Sequence, residues 1–178
     1  MAAQSRAAVR VLLLGDTHGI LDERIAALAR ECDVAVHAGD VGNGGVIDAL
    51  ESGGARVLAV RGNNDVVSKW PRDQHRALQT LGDIARIDLP GGVLIAMHGD
   101  AYSPSTRARL RAAFPDTKAI VYGHSHRLVV DDGEEPWVLN PGAAGRARTY
   151  GGPSCLVLEA SKKRWSIEPH RFERISAR

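Results

Sequence analysis

Aromatic residues make up only 4% of the 178-residue chain. That leaves little material for the stacking platforms that hold single-stranded nucleic acid. There is no excess of either charge: 23 Lys+Arg face 21 Asp+Glu, a net +2. Nucleic-acid binders usually show a clear basic excess, so the composition argues against such a partner. Cysteine is scarce. Cys32 and Cys155 form neither a CxxC pair nor a disulfide framework, and a reducing cytoplasm suits them. No apolar run approaches the ~20 residues of a membrane helix. The opening MAAQSRAAVR lacks the apolar region of a signal peptide, so no membrane association is expected.

The remaining composition is ordinary, with 44% hydrophobic and 25% charged residues. A chain of this length buries about 70% of its unfolded surface and can fold without a disulfide or structural metal. One domain over residues 1–178 is expected, roughly 100–200 residues being typical. There is no internal repeat, low-complexity tract or linker.

Val9–Leu14 is an apolar run and reads as a strand buried on both faces. Helical spacing follows over 22–30, with Ile25, Leu28 and Ala29 apolar. Further strands are expected over 33–38 and 56–60, with a helix over 44–52 between them. This alternation favours an α/β fold with parallel strands. The second half differs. Strands over 84–89 and 93–97 flank Pro90-Gly91-Gly92, a hairpin signal. A helix is expected over 105–114 and strands over 119–122, 127–130, 137–139, 154–158 and 164–168. Two sheets packed face to face with helices outside would accommodate this order. The segment 68–79 matches no clear pattern.

Five of the expected strands or their loops end alike, in a polar donor beside glycine. They are Gly15-Asp16-Thr17-His18-Gly19, Gly39-Asp40, Gly62-Asn63-Asn64-Asp65, His98-Gly99-Asp100 and Gly123-His124-Ser125-His126. Loops at the carboxyl ends of α/β strands meet at one rim, where ligands bind. Asp16, His18, Asp40, Asn63, His98, His124 and His126 are therefore candidates to converge. Carboxylate, amide and imidazole donors without thiolate suit Mn, Fe, Zn or Ni rather than a Cys-rich structural zinc site. Seven donors exceed one tetrahedral ion and match two ions sharing a carboxylate. Such pairs, roughly 3.5–4 Å apart, clamp a phosphoryl group and lower the pKa of bound water.

In this order, Asp-x-His, Gly-Asp, Gly-Asn-x-Asp, His-Gly and Gly-His-x-His resemble the calcineurin-like metallophosphoesterase superfamily. The short chain and Asn140-Pro141-Gly142 resemble its small bacterial and archaeal phosphodiesterase branch. The resemblance spans about residues 9–158. It implies a four-layer α/β/β/α sandwich and a binuclear metal centre. Asp16, His18 and His126 would hold one ion, Asn63, His98 and His124 the other, and Asp40 would bridge them. The implied reaction is attack on phosphorus by a metal-bound hydroxide in a cytoplasmic hydrolase, a phosphodiesterase by preference. Manganese is the first expectation for the two divalent ions. The same resemblance leaves a homodimer open.

Two positions depart from the family pattern. Many relatives have His after the motif Asn, where this chain has Asn64. An amide can hydrogen-bond a phosphate oxygen but cannot donate a catalytic proton near pH 7. Asn64 is therefore expected to face the phosphate, with a preference for good leaving groups. Asp100 stands where many small relatives have a second His, and it adds negative charge at the substrate mouth. Arg146 and Arg148 lie in a Gly- and Ala-rich loop and are candidate phosphate contacts.

Plainer expectations cover the other residues. Asp65 is read as structural rather than a ligand, His37 as a hydrogen-bonded histidine, and His75 and His170 as surface residues. Cys32 and Cys155 are read as packed thiols, and the basic run 162–164 as a solvated face. The rival functions are a phosphomonoesterase on the same site, a non-catalytic protein-binding scaffold of this fold, and a nuclease. The nuclease is disfavoured because the chain is too short for added DNA-binding domains.

Overall fold

The computed structural model describes residues 8–101 and 106–174. In chain order the elements begin with β1 (Ala8–Leu14), α1 (Glu23–Ala29), β2 (Val34–His37), α2 (Gly44–Glu51) and β3 (Arg56–Ala59). Next come α3 (His75–Thr80), β4 (Ile84–Leu89), β5 (Gly92–Met97), α4 (Thr106–Ala113) and β6 (Ala119–Tyr122). The chain closes with β7 (Leu128–Asp131), β8 (Trp137–Pro141), β9 (Ser154–Ser161) and β10 (Trp165–Arg171).

Two five-stranded mixed sheets result, ordered β10-β9-β1-β2-β3 and β4-β5-β6-β8-β7. Strands β1, β2 and β3 run parallel, as the alternation of strand and helix predicts. Strands β5, β6 and β8 are parallel in the other sheet. The two-residue turn Pro90-Gly91 joins β4 to β5 as an antiparallel hairpin, and Gly91 supplies the φ of 88° it needs.

Period-two alternation decides the layers. Val11 and Leu13 of β1, with Leu156 and Leu158 of β9, enter the core between the sheets, where they meet Leu94, Ala96, Val121 and Leu139. Leu12 and Leu14 point the other way, onto Ile25 and Ala29 of α1 and Val46 and Leu50 of α2. On the far side Leu110 of α4 packs on Ile95, Ile120 and Val138. The order is helices, sheet, sheet, helix. Leu13 is fully buried between the sheets, and its truncation to Ala would cost about 3–5 kcal/mol.

Boundaries move by a residue or more where pairing overrides local pattern. β9 runs to Ser161, and β10 runs on to Arg171, because the two pair along their length and β9 also pairs β1. Pro169 is accommodated because β10 is an edge strand. Of the helix expected over 105–114, Ser105 lies outside the described residues. The unplaced segment forms a 3-10 turn (Arg72–Gln74) leading into α3. It is held by Leu78, by buried Trp70 and by the Gln74 side chain, which accepts from the Gly44 N–H (2.8 Å). No helix among the described residues is long and apolar enough to cross a membrane.

Candidate metal centre

The carboxyl ends of β1, β2, β3, β5 and β6 lie together, and the loops that follow continue the β1–β2 pairing as single bonds. Asp16 N–H donates to Gly39 O (3.0 Å), His18 N–H to Asp40 O (2.9 Å) and Gly19 N–H to Val41 O (2.8 Å). In the other sheet Gly123 N–H donates to His98 O (3.0 Å), continuing the β5–β6 pairing, and across the sheets the His98 ring Nδ1 donates to Ala38 O (2.9 Å). Non-glycine residues rarely adopt φ > 0. Six described ones do, and five are Asp16, His18, Asp40, His124 and His126, at φ 48–69°. Such strain persists where the surroundings over-determine it, commonly at functional sites. Close backbone approach completes the cradle: a Cβ on Gly62 would overlap the Asp40 backbone N and Oδ1.

The structure brings all seven sequence-derived candidates together. Asp16, His18 and His126 have ligand atoms within 4.8 Å of one another, and so do Asp16, Asp40 and His98. His18 Nε2 lies 3.2 Å from His126 Nε2, and His126 Nε2 lies 3.5 Å from Asp16 Oδ1. Asn63 Oδ1 is 2.9 Å from His98 Nε2 and 3.1 Å from His124 Nδ1. Asp40 Oδ2 stands between the two groups, 3.7 Å from His18 Nε2 and 3.4 Å from His98 Nε2.

Burial and mutual contact perturb the protonation of these donors. Burial pushes the Asp16 carboxyl up to about 7, and Oδ2 of this fully buried side chain has no hydrogen-bond partner. A buried orphan oxygen is costly unless something positive meets it. Burial also lowers His18, and it lowers His126 to about 4, so both rings favour the neutral, ligating form. Burial opposes the charged form of His98, but hydrogen bonding to Asp40 outweighs it and holds His98 up to about 9. The same bond, with two from Asn64, overcomes burial at Asp40 and keeps its carboxyl well below the usual range. The only cation touching His126 is Arg148, whose guanidinium lies 3.2 Å from Nε2 among the described residues. Carboxylate, amide and imidazole groups facing one another with an orphaned oxygen fit divalent ions.

Supporting residues explain the geometry. Asn64 donates from its backbone N–H to Asp40 Oδ1 (2.8 Å) and from its amide to Asp40 Oδ2 (2.7 Å). Part of the amide expected to face a phosphate is thus spent on Asp40. The Lys69 ammonium donates to Oδ1 of the Asn64 side chain. Asp65 points away from the cluster. It accepts from Val41 N–H (3.0 Å), Gly42 N–H (2.9 Å), Gly62 N–H (2.8 Å) and Trp70 Nε1 (3.0 Å). His37 is fully buried, and burial lowers it to about 4. Its Nε2–H donates to Thr17 Oγ (2.8 Å), since that hydroxyl donates to Val41 O (2.9 Å).

Asn140, fully buried, donates to Gly123 O and Ser125 Oγ, both at 3.0 Å, and so holds the loop that carries His124 and His126. Among the described residues no hydrogen bond or ion pair joins Arg146 to the cluster, and it lines a cavity beside Arg148. Asp100 is exposed at the mouth of a second cavity, next to His98. His75 lies 3.2 Å from Trp70 O and His170 stacks on Phe172, both outside the site. Both cysteines are buried and free. The roles of Trp70 and Lys69 carry no signal in the sequence, since each follows from tertiary contact alone.

Residues 9–163 match the calcineurin-like phosphoesterase superfamily domain. The phosphodiesterase MJ0936 of Methanocaldococcus jannaschii is 24% identical over 165 residues, covering 88% of this chain and 96% of its own. Among solved structures, Vps29 of Entamoeba histolytica in complex with zinc superposes with a TM-score of 0.70. It is 18% identical and covers 92% of this chain and 98% of its own. The phosphoesterase YfcE of E. coli gives 0.63 at 21% identity, with 91% and 98% covered. These structural likenesses establish a shared fold. The match over most of the sequence establishes descent: this chain belongs to the calcineurin-like phosphoesterase superfamily.

Proposed function

We propose that the chain is a two-metal phosphodiesterase. Asp16, His18 and His126 would hold one divalent ion, and Asn63, His98 and His124 the other, with Asp40 between them. The observation that carries this reading is the position of Asp40 Oδ2, which abuts His18 of one group and His98 of the other. The M. jannaschii relative named a phosphodiesterase and the zinc complex of Vps29 support the reaction class and the ion type. When bound, such ions polarise phosphoryl oxygens and lower the pKa of water.

The chain's own residues orient the reactants. Asn64 fixes both oxygens of Asp40, and its second amide N–H is left for a phosphate oxygen. His98 is locked by its Nδ1 bond to Ala38 O, so Nε2 faces Asn63 and Asp40. Asn64 supplies no proton to a departing alcohol, so esters with good leaving groups, such as aryl diesters, are the favoured substrates.

The test is hydrolysis by metal-stripped protein repleted in turn with manganese, nickel, zinc, iron and magnesium. It is offered an aryl phosphodiester and the matching monoester. Hydrolysis that needs a transition metal and favours the diester is expected. Monoester hydrolysis alone would overturn the diester assignment. No hydrolysis by folded protein would leave a non-catalytic scaffold as the reading. Asp40→Ala should lose bound metal and activity together while remaining folded.

A further inference from the structure

Two cavities lie by the donor cluster, one lined by two of its residues and one reaching it through Arg148. The larger, about 500 Å³, opens beside Asn63 and His98, with Val66, Ile84 and Met97 among its walls. The smaller, about 220 Å³, is lined by Asp22, Arg146, Arg148, Thr149, Pro153 and Arg174. Sites for whole ligands are typically ~300–1,000 Å³, so the smaller cavity suits a chemical group rather than a molecule.

Its lining is one-sided in charge. Three of its six residues are arginines. Its one carboxylate, Asp22, is engaged by Arg24 through Nε (2.9 Å) and NH2 (2.8 Å). No ion pair joins Arg146, Arg148 or Arg174 to a carboxylate among the described residues, although Asp22, Asp131 and Glu134 are paired with other arginines. Arg174 is held in place by donating from Nε to the carbonyl of buried Thr149 (3.2 Å). Arg148 is held at φ 50°, with its guanidinium 3.2 Å from His126 Nε2, so one residue of the pocket wall touches the donor cluster. Guanidinium groups without a carboxylate partner that line one small cavity, Arg174 spending Nε and NH2 on Thr149 O and Arg148 one NH2 on His126, are suited to an oxyanion.

We infer that the pocket formed by Arg146, Arg148 and Arg174 takes a second phosphate of the substrate, carried on the ester arm that lies on the His126 side of the donor cluster. This rests on the phosphodiesterase reading above. The substrate class is then a phosphodiester with one arm ending in a phosphate. The other arm lies toward the larger cavity, where Val66 and Ile84 are exposed large apolar residues, 39% and 51% accessible.

Two measurements test the inference. In the first, inorganic phosphate is titrated into metal-free protein by calorimetry. Binding should weaken at least about tenfold in Arg146→Gln/Arg174→Gln and should weaken with added salt. Arg174 also holds the Thr149 carbonyl, so Arg146→Gln alone is the second variant, expected to weaken binding about threefold or more. Binding that is equal in wild type and both variants overturns the inference.

The second measurement uses metal-loaded protein and two aryl phosphodiesters that differ only in the end of the second arm, phosphate or neutral hydroxyl. The ratio of their kcat/KM values should favour the phosphate by about tenfold in wild type and fall towards one in the double variant. A wild-type ratio of one, with phosphate binding intact, would leave a site for free anions and overturn the substrate assignment alone. Hydrolysis of neither ester would refute the phosphodiesterase reading, and the assignment would fall with it.

Discussion

Asp65 lies outside the donor cluster, yet its replacement should cost the fold as much as the loss of a core side chain. Its carboxylate is 1% exposed and accepts four hydrogen bonds, two on each oxygen. Oδ2 receives Val41 N–H and Gly62 N–H, and Oδ1 receives Gly42 N–H and the Trp70 indole. In Asp65→Asn one oxygen becomes an NH2 group. Whichever way the amide turns, two donors lose their acceptor and face another donor. Hydrogen bonds to a charged acceptor are worth about 1.5–3 kcal/mol each, so the loss is about 3–6 kcal/mol. That is a large part of a typical total of ~5–15 kcal/mol. For a chain of this size it corresponds to a fall in Tm of roughly 6–24 °C. Calorimetry on metal-free protein reads the effect without interference from the site. Trp70→Phe, which removes one bond and keeps most of the packing, should fall by about half as much or less. A drop below about 3 °C for Asp65→Asn would refute the reasoning. Metal affinity should fall as well, because Val41, Gly42 and Gly62 flank Asp40 and Asn63.

Other predictions follow from single contacts. Gly62→Ala should displace Asp40, whose backbone N and Oδ1 a Cβ would overlap, and metal binding measured by calorimetry should fall at least about tenfold. Asp22 caps α1 by accepting from Arg24 N–H (3.0 Å), so Asp22→Ala should cost about 1 kcal/mol in urea unfolding. Hydrogen bonding to the Arg24 side chain holds the Asp22 carboxyl below its ordinary value. Its contribution is therefore present above the unfolded pKa of about 4 and lost as pH falls through the lower folded value. The stability gap between wild type and Asp22→Ala should accordingly close in acid. Burial raises the thiols of Cys32 to about 11 and Cys155 to about 12, and both are buried. Neither should react with a thiol reagent at pH 8 in native protein, and both should react in denaturant.

Local pattern was enough to place the first strand and to show it buried on both faces. A strand turns successive residues to opposite faces, so Val11 and Leu13 part from Leu12 and Leu14, but the run is apolar throughout and only the packed structure decides which pair enters the core between the sheets and which meets the helices. Short segments held by distant contacts were not legible. The turn at Arg72–Gln74 and α3 depend on Trp70, on Leu78 and on the bond from Gly44 to Gln74, thirty residues apart. β9 and β10 outran their patterns because ladder pairing extends a strand beyond its apolar run.

The donor types belong to the sequence. Asp16, His18, Asp40, Asn63, His98, His124 and His126 each sit beside or near a glycine after an apolar run, and that arrangement needs no neighbour to be recognised. Their mutual distances belong to the tertiary structure. His18 and His126 are 108 residues apart in the chain yet 3.2 Å apart in space. The folded structure also turns Asn64 onto Asp40, makes Asp65 the acceptor for the loops after β2 and β3, holds five donors at positive φ and gathers Arg146, Arg148 and Arg174 around one cavity. The physical reason is that residue type and spacing set what a side chain can bond and which face it leaves from. Its partner is set by which segments the two packed sheets carry to the same rim.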